Sequence, residues 1–318
     1  MAAFVGQMLH FVQHDKSARS PVGYRGLAFA DVDGWLLGVP SMKLAMVDDR
    51  IASFDDLDPV HFDRGLYFGD GVYEVLRSYN GKIFALDEHL KRFTASLAAI
   101  RITGIDIGVV RERVERAFKA AGFPNAKIYF HVTRGSEPRS HTWKPGLKPN
   151  FFLTVSELKD NPEEKAKGIS VCTHPDWRWK RCDIKSLNLL PNILARQDAA
   201  DRGYDEAILV DAAGFITEGA GSAFFAIINR ALQTAPLSAN ILPSITRHFV
   251  VKAATNIGLG IEQRCLTPKQ AAAADELFLA VTTKDIVPVV RFDDAVIGDG
   301  TPGPCTKALT TEFRKFTT

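Results

Sequence analysis

Strand-like and helix-like segments follow one another along the first half of the sequence without the strict alternation of a βαβ fold. Asn80-Gly81 is typical of a tight hairpin, and Asp87 is a candidate cap for a helix that follows it. Strand patterns occur at 43–47, 51–54, 126–134 and 150–157, and helical spacing runs from Asp87 to Gly122. This mixture predicts an α+β domain.

The length of 318 residues is enough for two domains. We predict an N-terminal extension over residues 1–43, a small α+β domain over 44–157 and a large domain over 169–318. The stretch between them, residues 158–168, is charged and contains a proline, so we interpret it as a linker.

Helix signals are clear in the second half of the chain. Pro191 stands where a first-turn proline is tolerated, and either Ser244 or Thr246 can open a helix that ends near Gly258. Thr267 and Gln270 have the spacing of a capping box. Between these helices, apolar runs such as 276–281 indicate buried strands.

Charge and cysteine content exclude several classes of protein. The 39 basic and 37 acidic residues give a formal net charge of +2 and are spread without blocks, so no nucleic-acid partner is indicated. No apolar run reaches membrane-spanning length. The four cysteines lack CxxC or metal-ligand spacing, so we expect no metal site and free thiols in a cytoplasmic protein.

One twelve-residue segment, Arg181–Asn192, carries a lysine between a short strand-like run and an apolar, helix-bound stretch. Such a setting keeps the amine of Lys185 away from bulk water and suits it to form a Schiff base with an aldehyde. The alternative is a lysine at a strand end whose head reaches solvent. The segment alone leaves both interpretations open.

Other residues fit the parts that pyridoxal chemistry requires of a protein. Glu218, after a predicted hairpin, could keep a pyridine nitrogen protonated, or it could be a solvated turn residue. A helix start at Ile245-Thr246 could bind a phosphate, or it could be an ordinary cap. Arg92 could add the cation, or it could lie on an exposed helix face. Thr282 and Thr283 could add hydroxyl groups.

A loop punctuated by proline, glycine and serine contains Arg139 and His141. An arginine can bind a carboxylate through two parallel hydrogen bonds, and a histidine two residues later can share that anion. The alternative is a polar loop tip without a ligand.

Together, and in this order over residues 43–318, these features resemble the fold-type IV pyridoxal-phosphate aminotransferases, most closely the D-amino-acid group. The resemblance implies a two-domain α+β / α/β fold, pyridoxal 5'-phosphate as cofactor, and a homodimer with shared active sites. It also implies an amino donor that is a D-amino acid and an acceptor that is a 2-oxo acid such as pyruvate or 2-oxoglutarate.

The resemblance assigns roles to individual residues. Lys185 is the catalytic, Schiff-base lysine and Glu218 the partner of the pyridine nitrogen. The other cofactor-binding residues are Arg92, Leu242, Ile245, Thr246 and Thr282. The substrate-binding residues are Tyr73, Val75, Arg77, Arg139, His141 and Thr283, with Arg139 and His141 reaching the active site of the neighbouring subunit.

The chain also departs from the family pattern. Leu190 stands where branched-chain enzymes have a tyrosine, Ser244 replaces a glycine, and Ala223 replaces an asparagine. The N-terminal extension and the Gly-Asp-Gly-Thr-Pro-Gly-Pro segment resemble (R)-selective amine transaminases. That activity, branched-chain aminotransferase and aminodeoxychorismate lyase are therefore the alternatives.

Overall fold

A computed structural model describes residues 43–318 of the chain. The predicted extension over residues 1–43 lies, except for its last residue, outside the described residues. The described chain up to Asp56 belongs to one unit and residues 57–318 form a second. In the first, strands β1 (Leu44–Val47) and β2 (Arg50–Ser53) pair antiparallel around a turn at Asp48-Asp49, and a 3-10 helix follows (Phe54–Asp56).

The second unit begins with a four-stranded antiparallel sheet and the helices that cover it. The strands lie in the order β4-β3-β5-β6. After a 3-10 helix (Pro59–Phe62), the elements are α1 (Arg64–Phe68), β3 (Gly71–Tyr79), β4 (Lys82–Ile83), α2 (Leu86–Ala99), α3 (Ile107–Ala121), β5 (Ala126–Thr133) and β6 (Asn150–Glu157). Apolar residues of α2 and α3 pack against β3 and β5 in one buried cluster. The predicted α+β character is confirmed.

The start of α2 corrects one expectation. Asp87 does not cap the helix, because the helix begins at Leu86 after Ala85, whose φ of 52° places it in the left-handed region. Asp87 lies inside the first turn, where an acidic side chain interacts favourably with the helix dipole, and it pairs with Arg111 of α3.

The remaining strands form a second, larger sheet of mixed direction. Its order is β12-β11-β10-β13-β14-β7-β8-β9, with β15 beside β14, and apolar clusters pack on it. The elements are α4 (Pro162–Lys167), β7 (Ile169–Pro175), α5 (Leu190–Asp201), β8 (Glu206–Val210), β9 (Ile216–Gly219), β10 (Ala223–Ile228), β11 (Ala231–Thr234), α6 (Ile245–Asn256), β12 (Gly260–Gln263), α7 (Pro268–Ala272), β13 (Glu276–Val281), β14 (Asp285–Phe292), β15 (Ala295–Val296) and α8 (Pro304–Arg314).

Two predicted helix caps are confirmed. Ser244 caps α6, its side chain accepting a hydrogen bond from the Arg247 N–H at 3.2 Å. Thr267 and Gln270 form the capping box of α7. Within residues 43–318, no helix combines the length and apolarity needed to cross a membrane.

The lysine segment connects the two sheets. The Tyr73 N–H donates to the Lys185 carbonyl at 3.0 Å, and the Leu187 N–H donates to the Gly71 carbonyl at 3.0 Å. The segment therefore runs antiparallel to the start of β3, while the chain on either side of it belongs to β7 and α5. These hydrogen bonds fix where the Lys185 side chain begins.

Candidate active site

A cavity of about 330 Å³ opens between the lysine segment, the start of β3 and the carboxyl ends of β9 and β13. It brings together residues from both sheets that are far apart in sequence. The predicted site residues that line it are Tyr73, Val75, Arg92, Lys185, Glu218, Leu242, Thr282 and Thr283.

Lys185 reaches the cavity from the segment that is hydrogen-bonded to β3. Its backbone N–H donates to the Ser96 hydroxyl of α2 at 3.1 Å, and its side-chain nitrogen lies 4.2 Å from the centre of the Tyr73 ring. The side chain is half-buried. A primary amine held in this way, over an aromatic face and in a cavity, is suited to nucleophilic attack on a carbonyl group.

Glu218 is a buried carboxylate at the end of β9. The Leu242 N–H donates to its Oε1 at 3.0 Å, and Arg178 donates to the same oxygen. Burial raises the pKa of Glu218 above its ordinary value, and the Arg178 guanidinium opposes that rise. Since both hydrogen bonds recorded for Glu218 in the described chain end on Oε1, Oε2 remains available to a further donor.

Arg178 is itself held in place by a second carboxylate. Its Nη2 lies 2.8 Å from Asp176 Oδ2, and it also donates to the Asn240 carbonyl at 3.2 Å. Burial alone would lower the pKa of Arg178, but its hydrogen bonds and charge pairs with Asp176 and Glu218 raise it. The sequence offered little signal for this role, because Arg178 lies among four other basic and aromatic residues in Trp-Arg-Trp-Lys-Arg.

Arg92 lies on the buried face of α2 and points towards the start of α6. Its Nε and Nη2 bind the two oxygens of Glu74 at 2.8 and 2.7 Å, while its Nη1 donates to the Pro243 carbonyl at 3.0 Å. The exposed-face alternative for Arg92 is therefore wrong, because the residue is only 8% exposed.

Glu74 is a site residue that sequence reasoning missed. Burial alone would raise the pKa of Glu74, but Arg92 and His89 outweigh that effect and hold it at about 2. A signal was present in the sequence: alternation along β3 places Tyr73 and Val75 on one face and Glu74 on the other, the face that packs on α2. A charged residue on a buried face requires a partner.

The N-terminus of α6 lies beside this arginine. Ser244, which caps the helix, lines the cavity, and Ile245 and Thr246 follow as the first buried helical residues. The N–H groups of a first helical turn have no acceptor within the helix and favour an anion. Ser244 has an ordinary extended conformation, with φ −65° and ψ 131°, so its replacement of a glycine leaves the cap intact.

Three predicted substrate-binding residues do not line the cavity. Arg77 is buried behind it, where it donates to the Thr283 carbonyl at 3.0 Å and pairs with Asp285 and Asp160. Arg139 and His141 lie on an exposed loop beside Phe68, with the Arg139 guanidinium 5.1 Å from the centre of the Phe68 ring. Their assigned roles stay predictions.

The other two departures lie at the start of β10 and at the start of α5. Ala223 is a buried residue that pairs with Ala280 of β13 and lines the cavity. Leu190 opens α5 and is 65% exposed, so it does not occupy the cavity in the way that a ring at this position could.

Comparison with solved structures identifies the class of fold. The branched-chain amino acid aminotransferase of Escherichia coli has a TM-score of 0.78 at 24% identity, covering 85% of this chain and 93% of that chain. A branched-chain aminotransferase of Thermoproteus uzoniensis with norvaline has a TM-score of 0.74 at 26% identity, covering 86% and 94%. The fold is that of the fold-type IV aminotransferases, as predicted.

Sequence comparison defines the family. The model for amino-transferase class IV matches residues 71–292. D-alanine aminotransferases of Bacillus licheniformis and Staphylococcus haemolyticus are 39% and 36% identical, covering 79% and 80% of this chain and 89% and 90% of the relatives. The chain belongs to the class IV aminotransferases and is therefore an aminotransferase that uses pyridoxal 5'-phosphate.

The residues of the cavity fit this cofactor. Lys185 supplies the amine that would hold the aldehyde, and Glu218 has an oxygen free for a protonated ring nitrogen. The phosphate would find the first-turn amides of α6 with the guanidinium of Arg92 close by. Over the described part of the chain, no cluster of histidine, cysteine, aspartate and glutamate side chains could bind a metal ion.

Proposed function

We propose that the protein transfers the amino group of a D-amino acid to a 2-oxo acid such as pyruvate or 2-oxoglutarate. The observation that carries the proposal is the cavity that both Lys185 and Glu218 line. The chain that forms this cavity is 39% identical to a D-alanine aminotransferase. The residue roles follow from the site geometry and from the resemblance together.

The cofactor, when bound, supplies an electron sink for the negative charge that develops at the Cα of the donor. Lys185 would hold the cofactor through its aldehyde, and the amine of Lys185 is placed to move the proton at that Cα. Glu218 donates no proton itself; its negative charge favours protonation of the ring nitrogen beside it. Arg92, Leu242, Ile245, Thr246 and Thr282 hold the cofactor in place.

Substrate recognition requires a second copy of the chain in this proposal. Arg139 and His141 are exposed and lie outside the cavity of their own chain, and Arg92 and Arg178 are already paired with carboxylates. We infer that the chain is a homodimer in which Arg139 and His141 enter the partner's cavity and bind the donor carboxylate beside Tyr73, Val75 and Thr283. Arg77 contributes indirectly, because it donates a hydrogen bond to the Thr283 carbonyl and so holds Thr283 in place.

Two further features support parts of this proposal. The α5 residues Leu190, Ile193 and Leu194 are apolar and 65%, 59% and 47% exposed, which suits an interface between two copies. The four cysteines are free thiols, which suits a cytoplasmic protein. We also propose the domain limits given above, 44–157 and 169–318, since the four-stranded sheet lies within the first range and the larger sheet within the second.

A second candidate is an (R)-selective amine transaminase. It is favoured by the lack of a free arginine in the cavity: among the described residues that line it, Arg92, Arg178 and Arg196 are each paired with a carboxylate, and Lys185 is the remaining cation. Such a site would accept an amine that lacks a carboxylate.

The test is a donor panel of paired D- and L-amino acids and (R)- and (S)-amines, with pyruvate and 2-oxoglutarate as acceptors. The proposal predicts the fastest turnover with D-amino acids. Faster turnover of (R)-1-phenylethylamine would favour the second candidate, and faster turnover of L-leucine a branched-chain aminotransferase. Release of pyruvate from aminodeoxychorismate without an acceptor would indicate the lyase.

A further inference from the structure

Arg64 is a buried arginine that binds the backbone of the loop carrying Arg139 and His141. It is the first residue of α1 and only 3% exposed. Its Nη1 donates to the Ser140 carbonyl at 2.7 Å and to the Thr142 carbonyl at 3.4 Å, and its Nη2 donates to the His141 carbonyl at 3.3 Å. One guanidinium therefore holds three consecutive carbonyl groups.

The loop is fixed at its base by other groups. The Arg64 N–H donates to the Gly135 carbonyl at 3.0 Å, and the Glu137 N–H donates to the Phe62 carbonyl at 3.0 Å. The Asn150 side chain donates to the Ser136 hydroxyl at 2.9 Å. The loop tip comprises residues 138–143. The hydrogen bonds described for its backbone are those that three of its carbonyl groups accept from the Arg64 side chain.

Phe68, one turn after Arg64 on α1, supports the same tip through its ring. The Arg139 guanidinium lies 5.1 Å from the ring centre, and the His141 ring contacts it edge-on at 5.7 Å. Side chains four residues apart share a helix face. The short helix α1 thus contacts both the backbone and the side chains of the loop tip.

Two carboxylates hold Arg64 in its position. Its Nε lies 2.8 Å from Asp70 Oδ2 and its Nη1 lies 2.9 Å from Glu137 Oε1. Asp70 also binds Arg134 through Nε at 2.8 Å. Burial alone would raise the pKa of Asp70, but Arg134 and Arg64 hold it below its usual value. The cluster keeps its charges paired, so the guanidinium is fixed before any substrate arrives.

We propose that Arg64 is a positioning residue for substrate recognition, which sets the placement of Arg139 and His141 for binding the donor carboxylate. The proposal rests on the proposed function, in which those two side chains bind the carboxylate of the amino donor. Arg64 contacts no substrate itself and acts only through the loop backbone. A lysine in its place could carry the charge but could not donate to three carbonyl groups and two carboxylates together.

The experiment uses the holoenzyme and follows the donor half-reaction by absorbance, without acceptor. Arg64→Lys should raise the Kd of D-alanine about 10- to 100-fold, the effect expected of a small misplacement of a binding group, and leave the limiting rate at saturation little changed. Turnover of (R)-1-phenylethylamine, which has no carboxylate, should change little. Hydrogen–deuterium exchange of the peptide covering residues 136–146 should become faster.

Arg134→Lys is the matched control. Arg134 shares Asp70 with Arg64, but it donates to the carbonyls of Ile100 and Arg101 rather than to those of the loop tip. A lysine there keeps a cation over the Trp143 ring, which Arg134 now contacts at 3.8 Å. This variant should leave the Kd of D-alanine and the exchange of residues 136–146 near the wild-type values.

The outcomes separate this proposal from the one on which it rests. Arg139→Gln tests the carboxylate role: an equal loss for both donors in that variant would refute that role. If Arg139→Gln affects D-alanine alone while Arg64→Lys affects neither the Kd of D-alanine nor the exchange of the loop, the positioning role is wrong.

A second variant tests the positioning role if Arg64→Lys does not fold. Glu137→Gln, which removes one of the two carboxylates that hold the guanidinium, should give a smaller change in the same direction. An unchanged Kd there would also overturn the positioning role.

Discussion

The Arg92 guanidinium and the Glu74 carboxylate form a two-point ion pair, with Nε–Oε1 and Nη2–Oε2 distances of 2.8 and 2.7 Å. The pair is buried between α2 and β3, on the opposite face of the strand from Tyr73. It orients the arginine so that its third nitrogen points at the α6 cap. Arg92, the cation that we propose for phosphate binding, is therefore positioned by a strand residue rather than by its own helix.

Replacing Glu74 with glutamine should weaken cofactor binding and destabilise the fold. Because the variant leaves Arg92 buried without its counter-charge, we expect a loss of about 3–5 kcal/mol in the free energy of unfolding. The dissociation constant for pyridoxal 5'-phosphate should rise about tenfold or more as Arg92 loses its orientation. Chemical denaturation and fluorescence titration measure the two effects. Glu115→Gln, on an exposed helix face, is the control, and equal behaviour of the two variants would contradict the assignment.

Acid should remove part of the stability through the same residue. The pKa of Glu74 is lowered from 4.5 to about 2 in the folded chain, so its contribution is complete above pH 4.5 and is lost as the pH falls towards 2. That contribution is on the order of 3 kcal/mol. Unfolding measured between pH 6 and pH 2 should therefore show a steeper fall for the wild type than for Glu74→Gln. Parallel curves would show that Glu74 is not held ionised by Arg92.

Arg178 should control the ionisation of Glu218. Burial raises the pKa of Glu218 and Arg178 opposes that rise, so Arg178→Gln should shift the acidic limb of the donor half-reaction to higher pH. At a pH below the pKa of Glu218 in the variant, we expect the rate to fall about tenfold for each pH unit of that difference, with recovery as the pH rises. Arg181→Gln, which removes an exposed arginine paired with Asp183, should leave the profile in place. A loss that is independent of pH would mean that Arg178 acts only structurally.

Mixed dimers should show whether the active sites are shared. Lys185→Ala and Arg139→Gln each impair every site of their own homodimer in our proposal. A mixed dimer would contain one site with an intact lysine from one chain and an intact arginine from the other. Two-tag purification of co-expressed chains should give roughly half of the wild-type activity with D-alanine. Mixed dimers no more active than Arg139→Gln alone would contradict shared sites.

The sequence predicted the residues of the cavity better than the network behind them. Ser244 was a candidate cap because it stands at a helix-start signal. The local signals at Lys185 and Glu218 left a solvent-exposed alternative open, and their roles came from the family resemblance. Arg178 could not be placed from the sequence, because its role depends on charges that approach only in the folded chain. Glu74 had a signal as a charged residue on a buried strand face, but its partner Arg92 could be identified only in the folded chain. Asp87 is the opposite case, a local signal that was wrong. Asp87 is a favourable cap residue, but the helix begins one residue before it, at Leu86, because Ala85 adopts a left-handed conformation at the cap position.

The hydrogen bonds between the lysine segment and β3 have a mechanical consequence. The Lys185 carbonyl is hydrogen-bonded to the Tyr73 N–H of the small sheet, whereas Glu218 belongs to the large sheet. Any displacement of one sheet against the other would therefore change the distance between the Lys185 amine and the Glu218 carboxylate.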